Sequence, residues 1–444
     1  MNTPRNTPAV RILRIAALSV VSIALALIFT QALASISAPV QRALVALLGI
    51  GFLGGDMKFD EAALTLVLVA MGFLAAILLA VWRLKLNSWG RIAVGAAAVA
   101  GMLVYMAHDD PSLRRPIMLD EFSPAFPGAE QSFKVLMRYG RSHPLAKNFK
   151  VPTYKEPYPN LGNREPGPWR AMLSLHRSEF EANWQQLAPE RAWWNELNSF
   201  DSIGDLTAPR FDSEVISFQV LRAVSQNGIG IASLKAIDGH GDEAVDTLLP
   251  ILQVARKLQP SSRTLVRSMI GVVIERLGLE TAAFILDTTP VSPAARLRLV
   301  DALRGGDPET GARHLIGCEY ALSLNTKKDS RMGDFVDVSG PHQSRVWIAR
   351  TLQLLSPFVY NPRATFNLAG DVSADLQDIV GRRELAKLDP RTERFIKEEA
   401  RPRFKNLLGL LLLQQITPAY TKVSENYWRT QDLRAALLTR LKTA

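Results

Sequence analysis

Cysteine is nearly absent from this sequence, because Cys318 is the single cysteine in 444 residues. That count excludes an internal disulfide and a zinc site built on cysteines. The common catalytic signatures are missing as well: there is no Gly-Lys dipeptide for a Walker A loop, and the patterns H-E-x-x-H, S-x-x-K and G-x-S-x-G do not occur. We therefore assign no catalytic, cofactor-binding or metal-ligating residue from a motif.

Clustered positive charge is also lacking, although basic residues exceed acidic residues by ten. The excess is scattered along the chain in runs no longer than a pair. Proteins that bind nucleic acid usually concentrate their basic residues on one face or one tail. The charge pattern therefore predicts no nucleic-acid partner. It fits either an ordinary solvated surface or a body weakly attracted to an anionic bilayer.

Strand signals are scarce. No stretch of alternating Val, Ile and Thr is bounded by hairpin turns, whereas helical periodicity recurs from about residue 169 onward. The sequence predicts an all-α protein in which residues 169–444 form a large soluble domain of packed helical hairpins.

Long apolar runs are confined to the first quarter of the chain. Three of them, at residues 12–34, 62–82 and 90–107, approach or exceed the ~20 residues that cross a bilayer. We predict that residues 1–110 form a membrane anchor of three transmembrane helices. Basic residues precede the first run and separate the second from the third, which places the N-terminus in the cytoplasm by the positive-inside rule. Three crossings then put the soluble domain outside the cytoplasm of a bacterial inner membrane.

Two features of the anchor leave alternatives open. Residues 40–54 form a shorter apolar run, which we interpret as an interfacial or re-entrant helix because a fourth crossing would violate the charge rule. Residues 32–34 read Ala-Leu-Ala, as at a signal-peptidase site. Either cleavage or retention of the first run leaves the body on the same side of the membrane.

Residues 111–168 contain ten prolines. Proline removes a backbone donor and disfavours helix in the residue before it. We predict an extended arm with one helix near 128–139. Aromatic residues make the arm too apolar for a solvated tether, so we expect it to dock on the body. They include Phe122, Phe126, Phe133, Tyr154, Tyr158 and the adjoining Trp169.

Within the body, a long helix near 212–238 is followed by Gly239-His240-Gly241 and a second helix. This unit resembles the helical hairpins of tetratricopeptide-type repeats, but Pro260 lies 16 residues after Ala244 where that pattern requires 12. The chain is therefore not assigned to that family.

A further helix is predicted to end at about residue 287 and to be apolar on most sides, hence central. Its main stripe is predicted to be Val266, Ile270, Val273, Leu277 and Phe284. Two glycines, Gly271 and Gly278, share one of its faces, where a neighbouring helix is able to come close.

Three groups of polar residues are candidates for chemistry. His176 and Glu179 lie one helical turn apart and would share a proton or a metal, or form an exposed pair. A second group, His314, Cys318 and Glu319, suggests a nucleophile or ligand set, or a buried cysteine beside a polar pair. The third, Glu275 and Asn227, lies in apolar helices and needs partners, either each other or a nearby arginine.

The sequence favours a non-enzymatic envelope protein whose partners are the lipid bilayer and another envelope protein. The alternative is a membrane-tethered hydrolase acting on an envelope substrate, with Glu275, Glu319 or His176 as acid or base. A deep pocket in which these groups converge would favour the enzyme, and a broad groove or exposed apolar patch would favour a scaffold.

Overall fold

The fold is described from a computed structural model. The described residues are 100–101, 104–115, 119–123, 125–154, 166–209, 213–327, 360–400, 406, 409–410, 413 and 420–443. Their secondary structure is helical, apart from one isolated bridge between Gly140 and Ile216. The predicted all-α class is therefore confirmed for these residues.

The chain divides into two compact units. The larger unit contains described residues between 119 and 326, between 373 and 390, and from 420 onward. The smaller unit contains described residues 100–115, 360–372 and those between 391 and 413.

We number the helices in chain order. They are α1 Leu119–Phe122, α2 Ala129–Leu136, α3 Pro144–Lys147, α4 Pro166–Leu175, α5 Arg177–Gln186, α6 Ala188–Asn198, α7 Phe218–Ile237, α8 Gly241–Lys257, α9 Leu265–Thr288, α10 Pro293–Leu303, α11 Pro308–Lys327, α12 Pro362–Gly381, α13 Leu388–Arg394 and α14 Tyr420–Thr443.

Local sequence sets several of these boundaries. Gly239 ends α7 at a φ of 86°, a left-handed conformation that glycine adopts without strain. Thr264 caps α9, where its side chain accepts a hydrogen bond from the Arg267 amide. Ser292 caps α10 in the same way, with Pro293 in the first turn.

The core of the larger unit is built around α7, α8 and α9. These three helices pack on one another, and α9 also packs on α14. Most residues of α7 are buried, including Val220, Val224 and Leu234 of its predicted stripe. Close packing of α8 on α9 uses the two predicted glycines: a Cβ at Gly271 would lie 2.7 Å from the Ala255 carbonyl oxygen, and one at Gly278 would lie 2.6 Å from Leu252.

The predicted inward face of α9 is correct only in part: Leu277 and Phe284 are buried, but the stripe fails nearer the start of the helix. Val266 is 52% exposed and Val273 is 38% exposed. The buried side carries apolar residues that lay off the predicted stripe, together with Ser268 and Glu275. Hydrophobic periodicity mispredicts this side because Ser268, Glu275 and two glycines lie on the buried side of the helix. Periodicity counts such residues as outward-facing.

Residues between 111 and 168 are more helical than predicted. The helix expected near 128–139 is present as α2, which a 3-10 turn extends over Met137–Tyr139. The described residues of this segment also contain α1, α3 and the start of α4. Phe133, Phe149 and Tyr154 pack against the core of the larger unit. The chain then continues through α4 and α5, which are divided at His176.

The smaller unit is organised around the start of α12. Asp109 accepts hydrogen bonds from the backbone amides of Arg363 and Ala364, which satisfies free donors in the first turn of the helix. Asn361 donates to the carbonyl oxygens of Met106 and His108. The segment that follows the third predicted span is therefore fastened to α12.

The predicted spans at 12–34 and 62–82 lie outside the described residues, as do the run at 40–54, the Ala-Leu-Ala site and most of 90–107. Among the helices that the structure describes, none combines the length and the apolar character needed to cross a bilayer.

Candidate functional site

A cavity of about 350 Å³ opens between α8, α9, α11 and α14 of the larger unit. Its wall also includes the Gly305-Gly306 turn that precedes α11. The side chains that give the cavity its chemical character are Arg256, Ser268, Glu275, His314, Tyr427 and Arg434. We treat this cavity as the candidate site because polar groups from four helices converge in it.

Glu275 is the most deeply placed charge in the cavity wall, with 1% of its surface exposed. One carboxylate oxygen, Oε2, accepts a hydrogen bond of 2.8 Å from Gln259. The other oxygen, Oε1, is buried and has no hydrogen bond. Two guanidinium groups compensate its charge: Nε of Arg434 lies 3.5 Å from Oε1, and Nε of Arg256 lies 3.7 Å from it.

Arg256 has a second task at the mouth of the cavity. Its terminal nitrogens donate to the carbonyl oxygens of Ala302, Arg304 and Gly305, just beyond the end of α10. Burial lowers the pKa of Arg256, and the Glu275 carboxylate opposes that effect. A guanidinium keeps its proton at neutral pH, so the same cation binds both Glu275 and the turn at the mouth.

His314 lines the cavity from α11. Its Nε2 lies 2.8 Å from the Ser262 carbonyl oxygen, and a carbonyl only accepts, so Nε2 carries the proton. Burial lowers the pKa of His314, although the bond to Ser262 opposes that effect. The ring is therefore neutral at pH 7, and Nδ1 is left as a hydrogen-bond acceptor.

Ser268 lies two turns before Glu275 on the same face of α9. Its hydroxyl is fully buried and has no hydrogen-bond partner. Buried polar atoms in folded proteins are nearly always paired, with protein or with another molecule. Ser268 Oγ is therefore an unmet hydrogen-bonding group in the cavity wall, whereas Glu275 Oε1 is held by the two guanidinium groups.

The structure brings together Glu275 and His314 from different predicted groups. Glu275 pairs with arginines, one of the two options expected. Its other predicted partner, Asn227, instead accepts a bond of 2.9 Å from the Tyr154 hydroxyl and donates to the Ala223 carbonyl oxygen.

The other candidates do not form a reactive set. His176 is buried rather than exposed, and its Nδ1 lies 3.5 Å from Glu179, with the ring against Tyr154. Burial raises the pKa of Cys318 well above its ordinary value, which keeps it a thiol. Glu319 accepts a bond from the Leu265 amide at the start of α9.

Sequence reasoning missed the two arginines of the cavity. Tyr427, Gln431 and Arg434 recur at spacings of four and three, and the first two are buried. This polar stripe on the C-terminal helix was the sequence signal for the site. It could not be interpreted from the sequence, because its partner Glu275 lies about 150 residues earlier in the chain.

No group of three or more potential metal ligands is found among the described residues. Comparisons of the chain with family models, with curated proteins and with solved structures return no match. The cavity is therefore interpreted from its own geometry.

Proposed function

We propose that this protein is a membrane-anchored binding protein of the bacterial envelope, whose extracytoplasmic helical body holds a small polar ligand without transforming it. The observation that carries the proposal is the convergence of Glu275, Arg256, Arg434 and His314, from four different helices, on one cavity of about 350 Å³. Such a concave site with a few convergent polar groups is typical of small-molecule binding.

The anchor in this proposal is supported by the three apolar runs at 12–34, 62–82 and 90–107 and by the basic residues that flank them. The envelope partner has a separate support. Phe218 and Val266 are both partly exposed and border an apolar pocket of about 150 Å³ in the larger unit, the kind of surface on which proteins dock.

The hydrolase remains the alternative, because Glu275 and His314 line the same cavity. A neutral imidazole with a free acceptor nitrogen is a suitable general base. Binding without turnover is favoured for two reasons. Nε of Arg256 and Nε of Arg434 both face Glu275 and hold its charge. Among the described residues, no nucleophile is hydrogen-bonded to His314.

The test is to block the cavity from its rim. Thr310 is exposed on α11 and lines the cavity, so Thr310→Trp should fill the entrance without disturbing the core. Glu309→Trp is the matched control, since Glu309 is the exposed neighbour outside the lining. The full chain in detergent micelles is screened by saturation-transfer NMR against a panel of hydroxy acids, amino acids, sugars and inorganic phosphate.

We expect at least one panel compound to bind saturably, to weaken at least tenfold in Thr310→Trp and to change less than twofold in Glu309→Trp. The absence of saturable binding, or equal binding by the two variants, contradicts the proposal. Hydrolysis of an ester or amide of a bound compound by water, lost in His314→Gln, would instead establish the hydrolase.

A further inference from the structure

The charges around the cavity of the proposed function, on which this inference rests, cancel one another. Nε of Arg256 and Nε of Arg434 both face the buried carboxylate of Glu275, at 3.7 and 3.5 Å. These three groups by themselves leave one positive charge. The charges at the mouth of the cavity decide whether that charge is compensated.

The mouth supplies the compensating negative charge. Asp307 lines the cavity at the start of α11, and hydrogen bonds from Thr310 hold the pKa of its carboxyl below the ordinary value, so Asp307 is ionised at neutral pH. Arg304, which also lines the cavity, pairs with Asp301 at 3.2 Å. Three guanidinium groups are thus balanced by three carboxylates. A charged ligand would leave water without finding an uncompensated charge of opposite sign, which is costly, so the balance favours an uncharged ligand.

Several hydrogen-bonding groups of the wall are already occupied. The Tyr427 hydroxyl donates to the Pro308 carbonyl oxygen at 2.9 Å, and Gln259 donates to Glu275 at 2.8 Å. Ser268 Oγ has no partner, but it also has almost no accessible surface, so no ligand atom reaches it. These groups therefore do not select the ligand.

His314 presents an accessible polar atom without a partner. Its Nε2–H donates to the Ser262 carbonyl oxygen at 2.8 Å, which fixes the tautomer and makes Nδ1 an acceptor. Within the part of the chain that the structure describes, Nδ1 has no hydrogen bond. Unlike Ser268 Oγ, it is not enclosed, because the ring lines the cavity and Nδ1 keeps accessible surface. A ligand that contacts Nδ1 must supply a hydrogen-bond donor.

Apolar surface contributes to the remaining wall. Pro260, Leu315 and the ring of Tyr427 provide it, and the Gly305-Gly306 turn adds backbone without side chains. At ~30 Å³ for each water molecule of the liquid, 350 Å³ holds roughly ten waters or one ligand of similar bulk. A single small ring that carries both C–H faces and hydroxyl groups suits this volume and this wall.

We propose that the cavity binds an uncharged sugar, one hydroxyl of which donates a hydrogen bond to His314 Nδ1. A hydroxyl supplies the donor without adding charge, and the C–H face of the ring covers Pro260 and Leu315. The other hydroxyls stay hydrated toward the open mouth. Hydroxy acids and phosphate bring a negative charge that the balanced wall does not match. An amino acid brings two full charges that both need partners.

The test compares sugars that share one ring and differ in a single group. Glucose, galactose and mannose are each titrated beside the corresponding uronate, which has a carboxylate, and amino sugar, which has an ammonium group. Lactate, alanine and phosphate represent the other classes of the panel. The full chain is held in micelles of a detergent without a sugar headgroup, and dissociation constants are measured by NMR titration. We expect at least one neutral sugar to bind saturably, and at least tenfold more tightly than its charged relatives and the other compounds.

Two measurements test the role of His314. His314→Gln keeps an amide donor for Ser262 and removes the acceptor at the position of Nδ1, so it should weaken the neutral sugar at least tenfold. His240→Gln, at an exposed histidine outside the cavity lining, should change the affinity less than twofold. In the unaltered protein, the nitrogen-15 resonance of His314 Nδ1 should move on saturation with the sugar. That resonance decides the matter if His314→Gln does not fold, by circular dichroism.

Failures of the two proposals are distinguishable. A uronate or amino sugar that binds as tightly as the neutral sugar, or tighter binding of lactate, alanine or phosphate, overturns the uncharged class, while saturable binding blocked by Thr310→Trp still upholds the site. An unchanged affinity in His314→Gln, or an unmoved Nδ1 resonance, overturns the hydrogen bond to His314. If Thr310→Trp leaves every bound compound unaffected, the site itself is wrong, and the ligand class falls with it.

Discussion

At the scale of single residues, the larger unit contains two buried carboxylates that differ in how fully their oxygens are hydrogen-bonded. Burial raises the pKa of Asp205, but Arg267 and hydrogen bonds from Thr207 and the Arg263 amide outweigh it, so that the pKa lies below its ordinary value. Every oxygen of Asp205 is thus paired within the protein. Glu275 has guanidinium partners as well, yet keeps one oxygen without a hydrogen bond. The first pair stabilises structure, and the second is suited to binding.

His314 gives a prediction about pH. Its folded-state pKa is lowered from the ordinary value of 6.5, so in a window below pH 6.5 the unfolded chain binds a proton that the folded chain does not. Stability should therefore be full above about pH 6.5 and fall on acidification, by up to ~1.4 kcal/mol per pH unit. His314→Gln keeps an amide donor for Ser262 and removes the titration.

We expect thermal unfolding of the full chain to show a smaller loss of Tm between pH 6.5 and 5 in His314→Gln than in the unaltered protein. His240→Gln is the control, because His240 is exposed at the start of α8. It should retain the original pH dependence. If Tm falls equally with pH in His314→Gln and in the unaltered protein, this histidine does not cause the loss of stability at acid pH.

At the scale of elements, α9 decides the architecture of the site. One face brings Gly271 and Gly278 against α8, and the neighbouring positions Ser268 and Glu275 face the cavity. Close approach of α8 and α9 carries Arg256, in the last turn of α8, toward Glu275. Helix packing and ligand chemistry are consequently linked through the same few turns.

Replacement of Gly271 by alanine tests this packing. The added Cβ would lie 2.7 Å from the Ala255 carbonyl oxygen, which belongs to backbone and yields little. Despite the better helix propensity of alanine, we expect a loss of about 1–3 kcal/mol in the free energy of unfolding. Chemical denaturation of the full chain measures it.

The control for this substitution is Gly167→Ala in the first turn of α4. A Cβ at Gly167 meets nothing within 4 Å, so the change should be neutral or slightly stabilising. Equal effects at the two glycines would mean that α8 and α9 are not held in close contact at Gly271.

At the scale of the whole molecule, the proposed anchor makes a prediction about location. Bacterial cells producing the full chain should retain it in the membrane fraction after alkaline carbonate extraction and release it with detergent, because apolar spans partition into hydrocarbon. A C-terminal alkaline phosphatase fusion, active only outside the cytoplasm, should be active. A C-terminal fusion to green fluorescent protein is the matched control. It should not fluoresce, because the fluorescent protein is exported in an unfolded state.

A product recovered in the aqueous fraction without detergent would contradict the anchor. A fluorescent C-terminal fusion combined with an inactive phosphatase fusion would be consistent with the anchor but would place the C-terminus in the cytoplasm, opposite to our prediction. Neither result bears on the cavity, whose residues lie in the larger unit of the helical body.

The sequence alone determined the helical class, because periodicity and the scarcity of strand patterns are local properties of the chain. It also identified α2, α7 and α9 and the close-packing role of Gly271 and Gly278. Glu275 was singled out for the same local reason, as a carboxylate in an otherwise apolar helix.

Only the tertiary structure decided which side of α9 is buried and which residues meet Glu275. Val266 and Val273 are apolar but partly exposed, whereas Glu275 is charged and buried. A buried carboxylate becomes tolerable when guanidinium groups compensate it. One of these comes from α8, the helix before α9, and the other from α14, about 160 residues later in the sequence. Charge compensation depends on which residues of different helices lie close together in the folded protein. The periodicity of one helix therefore cannot predict it.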